Sequence, residues 1–109
     1  MAEIIRDDHE SDRVVQQLKA ALDRYEREHP GAAASLYRYN PGSVRVRIVD
    51  RRFEPLNRAQ RHDQTWRDLA SHAGEDAMSE VSLLLLLPPH ETSNDLMNLE
   101  FERPSPSLL

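Results

Sequence analysis

The chain contains no cysteine, which excludes a disulfide framework, a thiol nucleophile and any thiolate metal ligand. It fits a reducing compartment. Only three glycines are present in 109 residues, so there is no Gly-rich loop to cradle a phosphate. Long apolar runs are missing as well. The longest is the five leucines 83–87, far short of the roughly 20 residues that span a bilayer. The opening Met1-Ala2-Glu3-Ile4-Ile5-Arg6-Asp7-Asp8 has no apolar stretch of the kind that marks a secretory signal. These absences predict a soluble, cytoplasmic protein.

A length of 109 residues suits one domain, able to bury about two thirds of its unfolded surface. The net charge of −5 argues against general affinity for nucleic acid. The charge is unevenly spread, however. Residues 38–61 hold seven arginines (Arg38, Arg45, Arg47, Arg51, Arg52, Arg58 and Arg61) against only Asp50 and Glu54, while both flanks are acidic. A basic centre of this kind either binds an anion or is neutralised by its own flanks.

Residues 1–10 are polar and acidic without periodicity, which predicts a loose tail. From Ser11, a plausible N-cap, the residues Val14, Val15, Leu18, Ala21, Leu22 and Tyr25 recur at helical spacing, and Pro30-Gly31 ends the pattern. A helix over about 12–28 follows. Leu36 to Tyr39 and Ser43 to Val49 read as strands joined by a tight turn at Asn40-Pro41-Gly42. Val44, Val46 and Ile48 alternate with Arg45 and Arg47. A turn placing Tyr39 opposite Val44 would put Tyr37 on the core side and gather Arg38, Arg45 and Arg47 on the other. Like charges across a ladder repel, so that face should meet acids or splay toward water.

Asn57 with Gln60 three residues later reads as a capping box. The helix it starts places Ala59, His62, Trp66, Leu69, Ala70 and Ala73 on one stripe and stops at Gly74. Residues 77–87 read as a third strand ended by Pro88-Pro89. Side chains alternate along a strand, so Leu83, Leu85 and Leu87 would lie inside with Val81, leaving Leu84 and Leu86 on the other face. Leu96 to Phe101 folding back, or a second molecule, would then cover Leu84 and Leu86. Residues 103–107 look disordered.

No catalytic set emerges from this pattern. The histidines 9, 29, 72 and 90 are scattered, and His90-Glu91 lacks the second His of a zinc-protease helix. His62 and Asp63 point in different directions on a helix, and Asp7-Asp8 and Glu75-Asp76 fit a tail and a turn. The chain is expected not to be an enzyme.

Phe53-Glu54-Pro55 followed by Arg61-His62 resembles the signature of the BolA-like family, a Phe, a variable residue, a Gly, five variable residues and Arg-His. Pro55 stands where that Gly would be. Tyr37-Arg38-Tyr39-Asn40 is similar to the Tyr-Arg-His-Asn of the family's first strand, and Leu83 to Pro88 resembles its third strand, which ends in Thr-Pro. The resemblance covers residues 12–90. It implies a single α+β domain over 11–90 of the type II KH-like kind, in the order α-β-β-α-β, with helices on one face of a three-stranded mixed sheet.

The same resemblance implies a role as a non-enzymatic interaction or regulatory module. The expected partner surface comprises Phe53, Arg61, His62, Ser79 and Glu80, with a monothiol glutaredoxin as a possible partner. BolA-like proteins can share a [2Fe–2S] cluster through a His near the start of the third strand and a His or Cys in the loop between the first two. Here those positions fall on Ser79 and on Asn40-Pro41-Gly42, so no cofactor is expected. Two alternatives stand beside this reading. One is a KH-like nucleic-acid-binding domain using Arg38, Arg45, Arg47, Arg51, Arg52 and Arg58, though the Gly-x-x-Gly clamp of such domains is missing. The other is a homodimer through Leu84 and Leu86.

Overall fold

The computed structural model describes residues 1–5 and 12–102. Ser11, residues 6–10 of the expected tail and the expected disorder at 103–107 lie outside them. The described elements are β1 (Glu3–Ile4), α1 (Arg13–Glu28), β2 (Ala33–Asn40), β3 (Ser43–Val49), a 3₁₀ turn (Arg51–Phe53), α2 (Arg58–Ala73), α3 (Glu75–Met78), β4 (Val81–Leu87), a second 3₁₀ segment (Pro89–Asn94) and α4 (Leu96–Glu102). They form a small α+β domain around one mixed sheet.

Local chemistry sets most boundaries. The Asp12 carboxylate accepts from the Val15 N–H and caps α1. Its C-terminus gives way at Gly31, whose φ of +95° suits glycine alone. Asn57 and Gln60 form a full capping box, each side chain accepting from the other's backbone N–H. α2 then ends at Gly74, with φ of +87°. In the β2–β3 turn the Asn40 side chain accepts from the Gly42 N–H.

The sheet has four strands rather than the three expected, in the order β1-β2-β3-β4. β1 pairs parallel to β2 through Glu3 and Ile4, inside the stretch expected to be loose. β2 runs antiparallel to β3, and β3 parallel to β4. The expected β2–β3 register is also shifted. Leu36 lies opposite Val46 and Tyr37 opposite Arg45, with an irregularity between Arg38 and Asn40. Because the side-chain period is two, that one-residue slip moves Tyr37 off the core face and brings Arg38 onto it.

β4 shows the same kind of correction. The stretch 77–80 is not strand, because Glu75 and Asp76 begin a short helix at their favourable end. Ala77 and Met78, adjacent in this short helix, are both buried. A second irregularity between Val44 and Arg45 then sets Leu84 opposite Val46 and Leu86 opposite Ile48. Leu84 and Leu86 therefore share the core face with Val81. Leu83, Leu85 and Leu87 occupy the other face, the reverse of the expected division. On that face Leu86 is buried and Leu84 half-buried.

Both faces of the sheet carry helix, not one. Val15, Leu18 and Leu22 of α1, Leu69 of α2 and Met78 of α3 pack on Leu36, Val44, Val46, Ile48 and Leu86. α4 folds back across the second face. There its fully buried Phe101 meets Tyr37 edge-to-face at 5.1 Å and 72°, in one cluster with Leu85 and Leu87. The folding back anticipated from the sequence thus occurs, over a different set of leucines. Phe101→Ala should lower stability by about 3–5 kcal/mol in urea unfolding, whereas Leu99→Ala, on the exposed side of α4, should change it by less than about 0.5 kcal/mol.

Candidate functional site

Phe53, Arg61 and His62, three of the residues singled out in the sequence, gather where the 3₁₀ turn, the first half of α2 and the end of β4 meet. Phe53 is buried in the core. Arg61, also buried, is the organising side chain. Its Nε donates to the carbonyls of Phe53 and Leu56, each at 2.9 Å. Nη1 donates to the Leu86 carbonyl at 3.3 Å. Nη1 and Nη2 also grip the two oxygens of Glu91 at 3.0 Å each, a fork-to-fork pairing that only a guanidinium provides. Arg61 thereby ties the 3₁₀ turn, β4 and the segment after Pro88-Pro89 together from within.

His62, next in sequence, points the other way. Its side chain is 53% exposed and stacks on Trp66 at 5.5 Å. The buried stripe of α2 runs through Arg61, Thr65 and Leu69, rotated from the one expected, so His62 and Ala59 face out. Ser79 and Glu80 lie apart from this cluster in the turn before β4. The Ser79 hydroxyl donates to the Asp76 carbonyl, and Glu80 pairs with Arg38 at 2.9 Å.

The arginines divide between the two faces of the sheet and find acids within the chain. Arg38 bonds the Asp12 carboxylate, Glu80 and the Pro41 carbonyl, joining the α1 cap to the β2–β3 turn. Arg45 and Arg47 lie on the second face under α4. Arg45 stacks on the Tyr39 ring at 3.8 Å, donates to the Tyr37 hydroxyl and faces Glu100. Arg47 donates to Asn98 and Ser35 and faces Glu102. Arg52 bonds the buried Asp50 through its backbone N–H and, at 3.4 Å, its side chain. Arg51 is exposed. Arg58 is 84% exposed, with Asp95 at 3.9 Å. The acidic flank residues 80–102 thus reach back to several of these arginines. That is the neutralised reading of the charge pattern for Arg38, Arg45 and Arg47.

Two further groupings bear on chemistry. The Tyr25 hydroxyl donates to Asp50 at 2.7 Å. Burial and the Asp50 carboxylate raise its pKa, so it stays a proton donor in a structural bond rather than a base. Glu28, Asp68 and His72, from the C-terminal ends of α1 and α2, bring ligand atoms within 4.8 Å of one another. They are the donor set that the described residues offer a metal ion. Arg24 already meets Glu28 at 3.2 Å and His72 meets Asp68 at 3.9 Å, which makes the group a surface charge network. His29 stacks on Tyr25 at 4.0 Å. Among the described residues no helix is long and apolar enough to cross a membrane.

Comparison with known proteins finds no matching family model, no matching curated protein and no matching solved structure. The surface around His62 must therefore be read from its own chemistry.

Glu91, Asn98 and Asp12 carry much of this architecture and were not visible as such in the sequence. Glu91 sits in a segment whose only local motif, His90-Glu91, points to nothing, and its partner is 30 residues away. The hydrogen bonds from Arg61, against the opposing effect of burial, lower the Glu91 pKa below the ordinary carboxylate value. A carboxylate with a depressed folded pKa stabilises the fold above its unfolded pKa, and loses that contribution as pH falls through the folded value. Acid titration followed by amide exchange should therefore loosen the Pro89–Asn94 segment below about pH 4.5, and Glu91→Gln should abolish that dependence. Arg61→Ala should cost about 2–3 kcal/mol in unfolding measurements, and Arg61→Lys should recover little of it.

Proposed function

We propose that the protein is a non-enzymatic interaction module of BolA-like character, which binds a protein partner at the surface formed by His62, Trp66 and β4. The observation that carries the reading is the pair Arg61 and His62. The first side chain is spent inside the fold to fix the second on the surface, beside the edge of the sheet. The sequence of helix, antiparallel strand pair, 3₁₀ turn, helix and parallel strand supports the type II KH-like arrangement that the resemblance implies. Phe53 then serves the partner surface from within the core, while Ser79 and Glu80, bonded to Asp76 and Arg38, lie apart from it.

In this reading the module adapts or regulates its partner without supplying cluster ligands, because Asn40-Pro41-Gly42 and Ser79 offer neither imidazole nor thiolate to iron. The pairing of Arg38, Arg45 and Arg47 with acids of the same chain weighs against the nucleic-acid alternative. That alternative predicts binding that weakens steeply with salt.

Titrating isotopically labelled protein with a monothiol glutaredoxin, cluster-free and cluster-loaded, tests the proposal. Saturable amide shifts at His62, Trp66 and β4 are expected. His62→Ala should weaken them about tenfold at an unchanged unfolding midpoint. Equal binding by the His62→Ala variant would remove this surface from the interaction, and no shifts at large excess would remove the glutaredoxin.

A further inference from the structure

The two edges of the sheet differ in how they are closed. β1 spans only two residues and opens with Glu3, both ordinary ways of blunting an edge. β4 is the opposite edge. Its seven residues, Val81-Ser82-Leu83-Leu84-Leu85-Leu86-Leu87, include no charge, no proline and no glycine. An uncharged strand of that length, left open, would be a site for unwanted pairing.

Its outer side is only partly occupied. The Leu87 carbonyl accepts from Asp50 next to β3, so by alternation the backbone groups of Leu84 and Leu86 point outward. The Leu86 carbonyl is held by Arg61 at 3.3 Å. Among the described residues no strand pairs with β4 on that side. Alongside runs a cleft of about 160 Å³, lined by Leu84 to Leu87, Arg58, Arg61 and His62. Arg61 is committed to Glu91, which leaves the exposed Arg58, with Asp95 at 3.9 Å, and His62, with Asp63 at 3.9 Å, as the polar rim of an apolar floor.

We propose that β4 takes up an extended segment of a partner protein as a fifth strand, and that Arg58 and His62 receive a carboxylate from it. The inference rests on the surface assigned above and specifies its occupant. Ladder hydrogen bonds supply the affinity in such strand addition, and the side-chain pocket supplies the selectivity. Charge complementarity favours a carboxylate-bearing segment. Arg58 is 84% exposed, and its acidic neighbour, Asp95, lies 3.9 Å away. A second copy of this chain fits less well, since its own Val81–Leu87 brings no carboxylate to Arg58. The chain's last residues fit poorly too, because Pro104 and Pro106 cannot donate to a ladder.

The test uses the full chain and three octapeptides of alternating Val and Thr. One has a central Glu, one a central Lys, and one is the Glu peptide with alternate backbone amides methylated. The Glu peptide should bind about tenfold more tightly than the Lys peptide and slow exchange of the Leu84 amide. Methylation should abolish binding, and Arg58→Glu should reverse the charge preference. Equal affinity for the Glu and Lys peptides, or unchanged Leu84 exchange on binding, would overturn the proposal. So would a free protein that sediments as a dimer with Leu84 already protected. Glutaredoxin binding without any peptide binding would leave the proposed function standing and remove this inference. Peptide binding without glutaredoxin binding would support the inference and exclude that partner.

Discussion

The guanidinium of Arg61 is the interaction on which the rest of the molecule depends. It satisfies three backbone carbonyls from separate parts of the chain and closes on Glu91 with both arms. A buried cation without such partners would destabilise the fold strongly, so its placement requires the 3₁₀ turn, β4 and the Pro89–Asn94 segment to be in place together. What lies beyond that segment inherits the constraint. α4 reaches the second face of the sheet by a chain held at Glu91.

The second face shows how the unusual charge pattern is absorbed. Three arginines on a short strand pair would repel one another if they shared a surface. The β2–β3 register separates them, sending Arg38 toward α1 and leaving Arg45 and Arg47 beneath α4. There Glu100 and Glu102 face them, Asn98 receives a hydrogen bond from Arg47, and aromatic rings lie against both guanidiniums. Such pairs give a sheet face its fixed lid, where hydrophobic contact alone would rest on Phe101 and a few leucines.

Elements whose signals are local were legible in the sequence. The apolar spacing of α1, the Asn57–Gln60 box, the Gly74 stop and the Asn40-Pro41-Gly42 turn all appear in the structure where the residues place them. What was not legible depended on a single-residue slip. An irregularity near Tyr39 and another near Ser82 invert the two faces of β2 and β4, and strict alternation has no way to signal either. β1 was missed because two residues are too few to show a period. At the candidate site, the sequence marked Arg61 and His62 as a pair but set His62 on the apolar stripe, and the structure buries Arg61 instead. Neighbours on a helix point about 100° apart, and only the distant Glu91 decides which of the two turns inward.

The parallel pairing of β3 with β4 also bears on how the chain reaches its fold. Val44 meets Val81 only after α2 and α3 have carried the chain across the sheet, whereas β2 and β3 close through a tight turn. Non-local pairings of this kind form late, because loop closure precedes any compensating contact. The five leucines of β4 are therefore expected to stay solvent-exposed for longer than any other apolar segment during synthesis and folding. The molecule's greatest hazard of misassembly lies in its last strand, and quick formation of α2 by its capping box shortens the exposure.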